Sequence, residues 1–169
     1  MRAELNRLQQ ELRAAIGDAV PSDLGSGPAG KWTPGQILEH LWLSYHHTNK
    51  GLARCMAKGA PLATSTNMKL RVKTFVVTRL GYFPSRAKAP ERTAPRGKPT
   101  EEVLGSIFDE IAQMDAALEV CEQKFGRRTK LLDHPILGPL NSEEWRAFHL
   151  IHGRHHARQI RERIKPGVA

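Results

Sequence analysis

The sequence predicts an all-α protein, a bundle of four long amphipathic helices with one short helical crossover. Three observations carry this. In four segments apolar residues recur three and four apart, the period of a helix with one buried face. Each segment is bounded by capping or breaking residues. The one β-branched cluster, Thr74-Phe75-Val76-Val77-Thr78, has no pairing partner nearby, so helix is preferred there over strand.

Residues 3–16 form the first helix, with Leu5, Leu8, Leu12 and Ala15–Ile16 in register and Gly17 and Pro21 ending it. Residues 21–30, rich in proline, glycine and serine, form a loop. Thr33-Pro34-Gly35-Gln36 opens the second helix. Thr33 is the N-cap, Pro34 suits the first helical position, and Gln36 closes a capping box. This helix runs to Lys58, before Gly59 and Pro61, with a stripe of Ile37, Leu41, Tyr45, Thr48 and Leu52, and Leu38 and Trp42 beside it. His40 borders the stripe, His47 follows seven residues later on the same side, and His46 points elsewhere. Residues 68–80 form the short helix, with Leu70, Val76, Val77 and Leu80 on its apolar side and Lys69, Arg71, Lys73 and Arg79 outside.

Residues 82–99 break the pattern with repeated prolines and carry Arg86, Lys88, Arg92, Arg96 and Lys98 against one acid, Glu91. A solvated connector is preferred here over a lid. Thr100 caps the third long helix, with Glu101 and Glu102 in its first turn, where acids suit the helix dipole. Its stripe is Val103/Leu104, Ile107/Phe108, Ile111, Met114, Ala117/Leu118 and Cys121, and Gly126 ends it. His134-Pro135-Ile136-Leu137-Gly138-Pro139-Leu140 reads as a proline-bounded connection. Asn141 or Ser142 then caps the fourth long helix, which ends before Pro166. The length of chain between the second and third long helices lets them lie other than antiparallel. No sheet and no internal repeat is expected.

Residues 1–169 are of ordinary size for one domain with a proper core. The formal net charge of +9 permits attraction to phosphates, acidic metabolites or membrane surfaces without establishing any of them. The plain reading is a soluble protein of basic composition. No apolar run is long enough to span a bilayer, and the charged N-terminus has no signal-peptide character, so the cytoplasm is the expected location. Cys55 and Cys121 form no CxxC and are expected to be small core or half-buried residues.

The last helix holds the chemistry. At helical pitch Trp145, His149, His152 and His156 share one face, continued by Ile160. Buried imidazoles without partners are costly, and a metal ion or an internal hydrogen-bond network would remove that cost. His152 and His156 have the spacing at which two imidazoles hold one ion, and His40 on the second helix is the other candidate ligand. Three histidines would leave an open coordination position, the catalytic rather than the structural pattern. This is not a zincin: Gly153 follows His152 where that motif has its general-base glutamate. His149 is a fourth ligand, an acid–base group, a supporting partner or simply a hydrogen-bonded half-buried residue. His46 and His155 are expected to be exposed, His47 reaches at most the mouth of the site, and His134 has a local hydrogen-bonding role in a turn.

Trp32-Thr33-Pro34-Gly35-Gln36-Ile37-Leu38-Glu39-His40-Leu41, followed by the His134–Leu140 segment, Glu144-Trp145 and His152-Gly153-Arg154-His155-His156-Ala157-Arg158-Gln159-Ile160, resembles the DinB-like superfamily. The likeness is closest to its branch of uncharacterised bacterial proteins with an HPxxGxL segment before the last helix, and it covers nearly the whole chain. It implies a four-helix bundle of up-down-down-up topology with a divalent metal on three histidines, here His40, His152 and His156. It also implies a homodimer. Characterised members of that superfamily include thiol-dependent enzymes, bacillithiol S-transferases and a mycothiol-dependent isomerase among them.

The leading expectation is a metal-dependent transferase using a low-molecular-weight thiol. His40, His152 and His156 would hold Zn²⁺ or Ni²⁺, His149 or Tyr45 would relay protons, and Arg154 or Arg158 would attract an anionic thiol. The alternative is a non-enzymatic metal-binding stress-response protein, with His149 closing the fourth position. A nucleic-acid or acidic-surface module using residues 82–99 and the 68–80 helix ranks last, because aromatics for base stacking are few there and no nucleic-acid motif appears.

Overall fold

The computed structural model describes residues 1–65, 68–81 and 89–164. Five α-helices follow one another: α1 (Ala3–Ile16), α2 (Pro34–Lys58), α3 (Met68–Leu80), α4 (Thr100–Phe125) and α5 (Ser142–Arg163). Single 3-10 turns lie at Pro21–Leu24 and Glu91–Thr93. The chain is mostly helical. α1, α2, α4 and α5 pack into a tight core, with α2 against α4 and α1 against α5, while α3 and its flanking loops form an extra region against α5.

The helix boundaries follow from local chemistry. Thr33 and Gln36 exchange side-chain-to-backbone hydrogen bonds at the start of α2, and Asn141 and Glu144 do the same at the start of α5. Gly59, at φ 70°, closes α2 in the left-handed conformation that glycine adopts without strain. Thr100 departs from expectation. It is the first helical residue of α4, Pro99 holds the cap position, and no side chain caps that end.

Two further expectations are corrected. The segment before α5 is a β-hairpin, with β1 (Leu132–His134) antiparallel to β2 (Gly138–Leu140). It pairs Leu132 with Leu140 and His134 with Gly138, and Leu131 N–H also donates to the Leu140 carbonyl. Leu80 lies on no apolar side of α3. It is 67% exposed, as are Met68, Val72 and Phe75 to similar degrees, and only Thr74 and Val77 of that helix are buried.

The core is continuous. Leu5, Leu8 and Leu12 of α1, Ile37, Leu41, Tyr45, Leu52 and Cys55 of α2, and Val103, Ile107, Ile111, Met114, Leu118 and Cys121 of α4 are fully buried, so both cysteines lie in the core. Behind α5 a buried ion network takes the place of apolar packing. Arg146, 3% exposed, donates to Asp115 and Glu122 at 2.9 Å each, and the Arg2 backbone N–H donates to Asp115 at 2.6 Å. A buried guanidinium is tolerated when carboxylates surround it in this way. No helix among the described residues is long and apolar enough to cross a membrane.

Candidate metal centre

α2 and α5 run beside each other so that His40, 3% exposed, meets His152 and His156. Each of the three offers one ring nitrogen, and these nitrogens lie within 4.8 Å of one another. His40 Nε2 is 3.1 Å from His152 Nε2. Tetrahedral zinc with Zn–N bonds of about 2.0–2.1 Å would place its ligand nitrogens about 3.3 Å apart, so the cluster fits one ion with small side-chain adjustment.

The ring tautomers fit as well. The Thr93 carbonyl can only accept, so His40 Nδ1–H donates to it at 2.7 Å and Nε2 is left with its lone pair. His156 Nδ1–H donates to Gln159 Oε1 at 2.8 Å, which leaves His156 Nε2 with its lone pair too. The other end of the Gln159 amide donates to His155 Nε2 at 3.1 Å. Burial lowers the pKa of each ring. His156 falls to about 3, His152 well below its usual value, and His40 falls despite its hydrogen bond to Thr93. The imidazoles are therefore neutral at physiological pH, the state in which they coordinate a cation.

The basic segment after residue 88 is more than a connector. Its 3-10 turn presents two successive carbonyls to α2, Arg92 to His47 Nε2 at 2.9 Å and Thr93 to His40. Glu39, buried beside His40, holds the same segment. Its carboxylate accepts the backbone N–H groups of Arg96 at 2.7 Å and Gly97 at 3.1 Å. Sequence reasoning assigned nothing to Glu39 or Thr93. A lone buried acid between Leu38 and His40 was the available signal for the first, and a backbone carbonyl leaves no signal at all. Residues 82–88, with Arg86 and Lys88 of the basic loop, lie outside the described residues, as does Pro166.

A cavity of about 540 Å³ opens onto the triad. His149, fully buried, also lines it, one turn before His152. Its Nε2–H donates to Thr48 Oγ1 at 3.1 Å, since that hydroxyl already donates to the Ser44 carbonyl. His149 Nδ1 and the Tyr45 hydroxyl are buried with no hydrogen-bond partner among the described residues. The two rings meet edge to face at 5.3 Å. Burial lowers the His149 pKa to about 3 and raises that of Tyr45.

The remaining sequence candidates fall as follows. Arg154 pairs with Glu11 at 3.1 Å and Arg158 approaches Glu162 at 3.8 Å, and neither lines the cavity. His47 lines it. His46 is half-buried rather than exposed, because its Nδ1 meets Glu110 at 2.8 Å and its ring stacks on Trp42. His155 is likewise half-buried and lines the cavity. His134 accepts the N–H groups of Ile136 and Leu137 through Nδ1, both at 3.2 Å, as its local role anticipated, and its ring also packs on Phe148 beside the cavity.

No curated protein and no solved structure matches the chain. The model of a family described as a protein of unknown function, DUF1569, matches residues 10–163. With nearly the whole chain matched, the protein belongs to the DUF1569 family.

Proposed function

We propose that this protein binds one divalent transition-metal ion through His40, His152 and His156, with zinc or nickel as the resident ion. The observation that carries the reading is the tautomer arrangement. Thr93 and Gln159 occupy the Nδ1 protons of His40 and His156, leaving both Nε2 lone pairs for the ion. All-imidazole donors suit zinc, nickel and copper over magnesium or calcium. The simplest function is metal binding as such, in the manner of a stress-response protein. We infer further that the family is a branch of the DinB-like superfamily, with its helices running up-down-down-up and its chains paired as a homodimer, which sedimentation would report.

The cavity beside the triad supports a second reading, a metal-dependent enzyme that uses a low-molecular-weight thiol. The ion would favour the ionised form of a bound thiol. Thr93 and Gln159 would hold two of the ligand rings. His149 Nδ1 and the Tyr45 hydroxyl, both with hydrogen-bonding capacity to spare, would hold or pass a proton.

Elemental analysis of the untagged protein tests the first reading. Near-stoichiometric metal, lost in the His152→Ala/His156→Ala variant, is the expected result. Absence of metal after incubation with zinc and nickel would overturn both readings and leave the histidines as a buried polar network. Metal-dependent consumption of a thiol in the presence of an electrophile would separate the enzyme from the binding protein.

A further inference from the structure

The cavity wall on α2 is formed by His40, Ser44, His47, Thr48, Gly51 and Arg54. Their spacing keeps one helix face, and the fourteen steps from His40 to Arg54, at about 1.5 Å each, make that wall about 21 Å long. The space is therefore elongated, with the triad toward one end. Leu132 and Leu137 of the hairpin region, Val77 of α3 and Phe148 of α5 give it an apolar side.

Its charges are one-sided. Among the described residues, Lys31, Arg54, Arg92 and Arg163 line the cavity against a single acid, Asp133. Asp133 is already engaged, accepting the Thr64 N–H through both oxygens at 3.1 and 3.2 Å. None of the four cations has a carboxylate within salt-bridge distance among the described residues, whereas Arg2, Arg127, Lys130, Arg146 and Arg154 elsewhere do. Arg163 is held in place, donating to the Trp32 carbonyl at 2.7 Å, while the Trp32 ring lies 5.2 Å from that of His40. One N–H of five is used there, so the guanidinium keeps donors for an anion. Three neutral imidazoles would also leave the charge of a bound divalent ion uncompensated, which adds to the same sign.

We propose that the cavity takes an elongated organic anion with an apolar body, its acidic head drawn by Arg163, Arg92 and the metal. So far as the ion contributes, this rests on the metal reading above; the arginines act without it.

The test compares octanoate with octanamide, which share a body and differ in charge. Binding is followed by tryptophan fluorescence, since Trp32 and Trp145 line the cavity. The metal-free protein is expected to prefer octanoate by about tenfold, and zinc loading to widen that preference. Arg92→Gln/Arg163→Gln is expected to remove the preference in the metal-free protein without changing octanamide binding, with circular dichroism confirming the fold. Equal binding of the two probes by wild type, with and without zinc, would overturn the inference and leave the metal reading intact. A protein that takes up no zinc yet prefers octanoate would overturn the metal reading and uphold this one. A preference that survives the double variant in the metal-free protein would overturn the anion inference.

Discussion

Replacing Glu39 by glutamine tests whether the segment ending at residue 99 is a working part of the metal site. The carboxylate, 3% exposed, accepts Arg96 N–H at 2.7 Å and Gly97 N–H at 3.1 Å. Glutamine keeps one acceptor and turns an amide donor toward the other N–H. One charge-assisted hydrogen bond is lost, a contribution of about 1.5–3 kcal/mol. The chain between Gly97 and Thr93 then loses its anchor, and the Thr93 carbonyl no longer fixes the His40 ring. Loss of such a supporting contact lowers metal affinity by about 10–100-fold. Because Glu39 acts one step behind the carbonyl, about tenfold is expected, well short of the loss on His152→Ala. Zinc competition against a chromophoric chelator reads the affinity, and thermal unfolding of the metal-free protein reads the stability. Zinc affinity within twofold of wild type, with stability reduced as expected, would refute the idea that this segment orients the site.

Three other outcomes are expected. His149 has its pKa pushed by burial to about 3, against an ordinary value near 6.5. Only the unfolded chain takes up that proton between these values, so stability is complete above pH 6.5 and falls as the pH drops toward 3; at pH 5 this one residue costs about 2 kcal/mol, read as the difference between wild type and His149→Gln in urea titrations of the metal-free protein, because the other buried histidines shift the same way. Arg146→Ala leaves Asp115 buried and Glu122 half-buried without their cation and should cost about 3–5 kcal/mol by the same measurement, while a loss under 1 kcal/mol would show the network to be dispensable. Gly153→Ala drives a Cβ into a Leu8 methyl in the buried α1–α5 contact. Overpacking of about 1–3 kcal/mol should exceed the helix-propensity gain of about 1 kcal/mol, and a higher melting temperature for this variant would contradict that.

The helices and the triad were legible because both depend on local spacing. Thr33/Gln36 and Asn141/Glu144 announce helix starts within four residues, and the His152/His156 pair follows from pitch alone. The hairpin was missed because its strands are three residues long, too short to display alternation. The turn-forming His134-Pro135 and Gly138 between two leucine-bearing ends, Leu132 and Leu140, were the available hint. His46 was expected to be exposed because its partner cannot be read from its own helix face: Glu110 lies on α4. His155 meets Gln159 four residues on along α5, a same-face contact that helical spacing does offer. Arg54, Arg92 and Arg163 acquire their common setting only when three distant segments converge on one cavity.

The triad joins residues 112 positions apart, His40 and His152. During synthesis at 5–20 residues per second, that separation corresponds to roughly 6–22 seconds between the appearance of the first ligand and the second. Over that interval α2 carries a single ligand, and one imidazole makes no chelate. On the metal reading, full-strength capture of an ion must await docking of α5. Metal occupancy would therefore report chains in which α5 has been made, and a product truncated before it would emerge without a claim on the cell's metal supply.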